Sequence, residues 1–168
     1  GTGYIGSHTV VELQNSGYEV VIIDNLSNSR ADVVDNIEKV SGVRPIFEQL
    51  DCLDYAGLDA LFAKYDNIKG IIHFAASKAV GESVEKPLMY YRNNLVSLIN
   101  LLELMPKYGV EGIIFSSSCT VYGQPDILPV TEAAPTKVAE SPYGNTKQIN
   151  EEIIRDYVKS GAPVNAIL

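Results

Sequence analysis

The sequence predicts an α/β fold, a doubly wound parallel sheet with helices on its faces. Three observations carry this. Short apolar runs alternate with helix-period segments along the chain, the pattern of repeated βαβ units. The chain opens on Gly1-Thr2-Gly3-Tyr4-Ile5-Gly6, a Gly-x-Gly-x-x-Gly turn that leads straight into a helical pattern. The next apolar run ends in Asp24, 18 residues after Gly6, at the strand end where open α/β sheets present side chains to ligands.

Taken in order, residues 5–16 predict a helix that ends near Gly17, and residues 18–23 a strand closed by Asp24. Residues 31–40 predict a helix, 45–50 a strand, 55–64 a helix and 68–74 a buried strand. Pro87 suits the first turn of a long helix reaching about residue 105, where Pro106 helps to end it. Residues 112–116 predict a strand. Ser141 followed by Pro142 reads as an N-cap and a first helical position, opening a helix to about residue 159. Residues 164–168 predict a last strand. The one long irregular stretch, residues 120–140, has the size of a functional loop. In the doubly wound order 3-2-1-4-5-6, the first, central strand would precede Gly1. The chain is therefore expected to lack that strand and to be a fragment of a longer protein.

Length and composition narrow the classes. The 168 residues suit one domain, and 46% apolar with 20% charged residues is ordinary for a globular protein. A net charge of −8 argues against partners that need a basic patch, so neither nucleic acid nor a membrane surface is expected. Cys52, Cys119, His8 and His73 make no metal-type spacing and no disulfide framework, and no metal site is expected. No apolar run approaches membrane-spanning length, and a reducing cytoplasm is the expected compartment.

The residues that carry chemistry cluster at predicted strand ends. Gly1, Gly3 and Gly6 let a backbone approach a pyrophosphate, whose charge the following helix N-terminus stabilises. Asp24 is placed to accept from the ribose hydroxyls of an adenosine, and its charge repels a 2′-phosphate, which favours NAD over NADP. Asn25, Leu26, Ser27, Asn28 and Ser29 line the same edge. Asp51, followed by Cys52, is either an adenine contact or a turn acid. Phe74, Ala75, Ala76 and Ser77 are small enough, after the phenylalanine, for close cofactor approach, and Lys78 either reaches a phosphate or ribose or is simply exposed. His73 reads as packed. Asparagine is a poor helix former, so Asn93 or Asn94 inside the long helix implies a polar task. Ser118 and Thr120 lie just past a strand, positioned for substrate contact, whereas Ser116 and Ser117 read as backbone caps. Tyr143 and Lys147 stand four residues apart, on one helix face, 25 residues after Ser118. An ammonium one turn away stabilises a phenolate, which makes the tyrosine a base for neutral pH.

Together these stretches resemble the extended short-chain dehydrogenase/reductase superfamily, and within it most closely the UDP-glucose 4-epimerase family. The matching segments are Gly1-Thr-Gly-Tyr-Ile-Gly-Ser-His8, Asp24-Asn-Leu-Ser-Asn-Ser29, residues 73–83, Phe115-Ser-Ser-Ser-Cys-Thr-Val-Tyr-Gly123 and Ser141-Pro-Tyr-Gly-Asn-Thr-Lys147. The resemblance implies a Rossmann-like NAD-binding domain over residues 1–168 that includes the catalytic trio but lacks the C-terminal substrate domain, and so is expected to be inactive alone. It implies an isomerase acting at C4 of UDP-glucose and UDP-galactose through a 4-keto intermediate. Tyr143 would be the base, Lys147 would hold the nicotinamide ribose, and Ser118 would bond the sugar oxygen. It further implies cofactor contacts at Tyr4, Ile5, Asp24 to Ser29, Asp51, Cys52, Phe74 to Lys78, Asn93, Ser118, Tyr143 and Lys147. Substrate contacts would fall on Lys78, Ser118, Thr120 and Tyr143, and the whole protein would be a homodimer. Related dehydratases carry a carboxylate beside the catalytic serine or threonine. Here that position holds Cys119-Thr120.

Overall fold

The alternating pattern resolves into six α-helices and five short strands, and the structure, a computed structural model, describes residues 1–168. The order is α1 (Tyr4–Asn15), β1 (Val21–Asp24), α2 (Val33–Ser41), β2 (Ile46–Gln49), α3 (Tyr55–Lys64), β3 (Gly70–His73), α4 (Val80–Glu85), α5 (Pro87–Lys107), β4 (Gly112–Phe115), α6 (Pro142–Lys159) and β5 (Asn165–Ile167). The chain divides into two compact units, Gly1–Leu61 and Phe62–Leu168.

In the first unit β1 and β2 are parallel, with Val21 opposite Ile46 and Asp24 opposite Gln49. Val10 of α1, Ile22 of β1 and Ile37 of α2 are buried together, with Val11, Val20, Val33 and Phe47 packed around them. Each such aliphatic side chain contributes roughly 1.5–3 kcal/mol on full burial. This packing joins both helices to the strand pair.

In the second unit β4 lies between β3 and β5, all parallel, with Gly70 opposite Gly112 and Gly112 opposite Asn165. Within each unit the strand order is that of one arm of the doubly wound order. The first unit holds the pair β1-β2 and the second the trio β3-β4-β5, each in sequence order. Helices α5 and α6 pack on one another, and Leu98, Leu101, Leu104 and Met105 of α5 are buried along with Ile113 and Phe115 of β4 and Ile154 of α6.

Two local outcomes differ from the sequence reading. The first is α4, six residues long and too short to show a helical period. The second is Pro106, which lies inside α5 rather than beyond its end. A proline has no N–H to give the carbonyl four residues back, here that of Leu102. The Tyr157 hydroxyl of α6 donates to that carbonyl at 3.1 Å instead. The freed acceptor is satisfied by the neighbouring helix, so α5 continues for one more residue. Ser141 and Pro142 behave as expected: the Ser141 hydroxyl accepts from the Gly144 N–H at 3.1 Å and α6 starts at Pro142.

Candidate functional site

In the first unit every candidate residue lies at the start of α1 or at the carboxyl end of β1 or β2. Gly3, the N-cap of α1, has extended backbone and no side chain capping the first turn. The N–H groups at that helix start are left for another acceptor. Gly6 is there because of a close approach: a Cβ would sit 2.5 Å from the Gly1 carbonyl oxygen. Tyr4 and Ile5 are large apolar side chains facing solvent, 82% and 60% exposed.

Asp24 organises the strand end. Its Oδ2 accepts from the Gly1 amino group at 2.8 Å and the Thr2 N–H at 2.9 Å. Its Oδ1 accepts from the Leu26 N–H and the Ser29 hydroxyl, both at 2.9 Å. Burial pushes this carboxyl up, while the Leu26 and Thr2 N–H groups pull it down. The turn through residues 25–29 is thereby wrapped around an anion, and Leu26 takes the left-handed conformation at φ 59°. Asn25 Nδ2 donates to Asp51 Oδ2 at 2.9 Å, and the Leu53 N–H donates to Asp51 Oδ1 at 2.8 Å. The Asp51 carboxylate therefore serves the turn and ties two strand ends together. Burial, followed by the charge of Asp51, pushes the neighbouring Cys52 thiol up to about 11.

In the second unit the candidates gather past the carboxyl ends of β3 and β4 and on the facing turns of α5 and α6. Three serines leave β4 in succession, each with a different tie. The Ser116 N–H donates to the His73 carbonyl, and the Ser116 carbonyl accepts from Lys147 Nζ at 2.6 Å. Ser117 does not cap backbone as expected, but donates from its hydroxyl to Glu151 Oε1 at 2.5 Å. Ser118 N-caps a 3₁₀ turn, Cys119–Tyr122, and its Oγ accepts from the Thr120 hydroxyl at 3.0 Å. Thr120 packs against the first turn of α6, where a Cβ on Gly144 would meet the Thr120 Cβ at 3.2 Å. Ser118 and Thr120 are thus held beside the turn that carries Tyr143.

Lys147 is buried, 4% exposed. Its ammonium stands 4.7 Å from the centre of the Phe115 ring and 6.0 Å from that of Tyr143. Burial lowers it to about 8, so it remains a cation at neutral pH. His73 lies beneath, stacked on Phe115 at 6.0 Å. Burial, then the charge of Lys147, lowers it to about 3, and it is a neutral packing residue, as the sequence reading has it.

Asn94, 1% exposed, links the segment after β3 to α6. Its Oδ1 accepts from the Ser77 N–H at 2.8 Å and from Asn93 Nδ2 at 3.0 Å. Its Nδ2 donates to the Ser77 carbonyl at 2.9 Å and to Thr146 Oγ1 at 3.0 Å. Thr146 in turn donates to the Tyr143 carbonyl at 2.7 Å. Asn93 also reaches the Ser77 hydroxyl at 3.2 Å, while Lys78 is exposed. Gln148 was missing from the sequence reading. Its Nε2 donates to the carbonyls of Val121, at 2.8 Å, and of Lys137, fastening both ends of the long loop to α6. Glu151 was missing too, although it continues the 143–147 spacing by one more turn.

A capless glycine turn with an acid-terminated strand in the first unit, and a serine past a parallel strand with a Tyr/Lys pair on the following helix in the second, correspond to a recognised class. Residues 1–166 match the model of the GDP-mannose 4,6 dehydratase family, and the chain belongs to that family of extended short-chain dehydrogenase/reductase type. Within it the similarity is to UDP-glucose 4-epimerases. The chain is 52% identical to one from Schizosaccharomyces pombe over 172 residues, covering 100% of this chain and 48% of that protein. It is 53% identical to one from Bacillus subtilis over 156 residues, 93% of this chain and 45% of that protein. The solved UDP-glucose 4-epimerase of Bifidobacterium longum, in complex with NAD+ and UDP, superposes with a TM-score of 0.95 at 44% identity, over 99% of this chain and 49% of that one. The chain spans about half the length of the curated relatives it matches.

Proposed function

We propose that residues 1–168 supply the NAD-binding part and the catalytic trio of a UDP-glucose 4-epimerase, with the substrate pocket completed by further chain. The single observation that carries this reading is the second-unit cluster of Ser118, Tyr143 and a buried, charged Lys147, in a chain about half identical to such epimerases. NAD suits the residues present. The capless N-terminus of α1 offers N–H donors to a pyrophosphate, and nothing lies within 4 Å of a Cβ position on Gly3. Asp24 and Ser29 suit the ribose diol of the adenosine, and Lys147 suits that of the nicotinamide.

When bound, NAD supplies a group that accepts hydride from the sugar C4 and returns it. The chain's own work is to move a proton and hold the sugar. Tyr143 takes the 4-hydroxyl proton and gives it back, with the Lys147 ammonium 6.0 Å from the centre of its ring. Ser118, with Thr120 behind it, holds the oxygen at C4 while the 4-keto sugar presents its other face. A 4,6-dehydratase, the reaction in the family's description, also needs a group to shuttle protons at C5 and C6. The positions after Ser118 hold Cys119 and Thr120 rather than a carboxylate, which favours epimerisation. The reading brings with it a cytoplasmic homodimer with no nucleic-acid partner.

The test is conversion of UDP-galactose to UDP-glucose by the whole protein. Tyr143→Phe is expected to lower kcat at least about 100-fold. Unchanged turnover, or a 4-keto-6-deoxy product, overturns the assignment. Sedimentation of the same preparation at twice the subunit mass is expected, and a monomer contradicts the dimer.

A further inference from the structure

Glu151 is the one buried carboxylate near the reacting group that the proposed chemistry leaves without a task. It is 7% exposed and lies on the face of α6 that carries Tyr143 and Lys147, two turns beyond the tyrosine and one beyond the lysine. Both of its oxygens are engaged. Oε1 accepts from the Ser117 hydroxyl and Oε2 pairs with Arg155 Nη2, each at 2.5 Å. Ser117 sits between the residue whose carbonyl holds Lys147 and Ser118, the residue proposed to hold the sugar oxygen.

We propose that Glu151 is a positioning residue for the epimerisation, acting through Ser117 to fix residues 116–118 against α6. The proposal rests on the reading given above. Beyond the Ser116 N–H, which completes the ladder to β3, these residues have left the sheet. Their peptide orientation therefore depends on side-chain anchors. A clasp to the helix one turn beyond Lys147 ties the Ser116 carbonyl and the Lys147 ammonium to the same rigid element. It also fixes where the next residue, Ser118, points. A carboxylate suits the task because it only accepts hydrogen bonds, so the Ser117 hydroxyl has one way to turn. Arg155 engages the second oxygen and stops the carboxylate from rotating. Displacement of about 1 Å at a reacting group costs on the order of 100-fold in rate, so modest slack here reaches turnover directly.

The test measures UDP-galactose turnover by the whole protein. Ser117→Ala is expected to lower kcat about tenfold while KM changes less than about threefold. Glu151→Leu is expected to do the same, and the double variant to fall no further than either single one. Glu151→Gln keeps an acceptor for Ser117 and is expected to recover most of the loss. A merely structural clasp would lower the melting temperature and leave kcat per folded protein unchanged. That result in Ser117→Ala, or losses that multiply in the double variant, overturns the proposal. Should Glu151→Leu fail to fold, Ser117→Ala removes only one hydroxyl and decides the matter alone. Full turnover by Tyr143→Phe would instead sink the reaction assignment, a separate outcome.

Discussion

Asp24 and Gly123 show how much one position can hold. Asp24 accepts four hydrogen bonds, from the Gly1 amino group, the Thr2 and Leu26 N–H groups and the Ser29 hydroxyl. These bonds set the turn that follows β1, so the acid suited to a ribose also builds its own surroundings. Gly123 closes the 3₁₀ turn at φ 56° and ψ −135°, a region open in practice only to glycine. A Cβ there would lie 2.6 Å from the Val138 carbonyl oxygen. Gly123→Ala is expected to destabilise the protein by about 1–3 kcal/mol, read as a lower urea midpoint. An unchanged midpoint would mean that the loop repacks freely despite the Gln148 fastening.

Helices α5 and α6 support each other through polar bonds as well as apolar packing. Asn94 reaches Thr146, Asn150 Nδ2 donates to the Asn94 carbonyl at 2.9 Å, and Asn145 Nδ2 donates to the Tyr91 hydroxyl at 2.7 Å. The exchange at Pro106 makes the most direct test of this pairing. Tyr157→Phe leaves the Leu102 carbonyl without a donor and is expected to cost about 1–2 kcal/mol. In a Pro106→Ala background the new N–H can take that carbonyl, so the cost of Tyr157→Phe should shrink. A thermal double-mutant cycle measures the coupling, and equal costs in both backgrounds would contradict this account of the helix end.

The stability of the whole chain should depend on pH through two buried bases. His73 stands at about 3 in the folded protein against an ordinary 6.5, so between those values the unfolded chain binds a proton that the folded one refuses. Stability should therefore fall as pH drops from 6.5 towards 3. Lys147 stands at about 8 against an ordinary 10.5. By the same reasoning, its contribution should rise with pH between 8 and 10.5, as the folded protein sheds a buried cation first. Melting temperatures across pH 3–7 should show a shallower slope for His73→Phe, which keeps the stack on Phe115 without a titrating group. Identical slopes in both proteins would remove His73 as the cause.

Much of this was legible in the residues alone. Helices α3 and α6 fall where period and capping put them, because Ser141, Pro142 and the apolar spacing act within a turn or two of chain. The parallel α/β class, the glycine turn, Asp24 and the Ser118, Tyr143 and Lys147 positions came from the same short-range chemistry. Partnerships across the fold did not. Ser117 meets Glu151 across 34 residues, Asn94 meets Thr146 across 52, and Tyr157 meets Leu102 across 55. No local pattern announces such pairs. A side chain's spacing says which face it occupies, but packing between distant elements decides which donor meets which acceptor, since buried polar groups must find partners wherever the fold brings them. Local chemistry thus determined the elements and the candidate site residues, and tertiary contact determined what holds those residues in place.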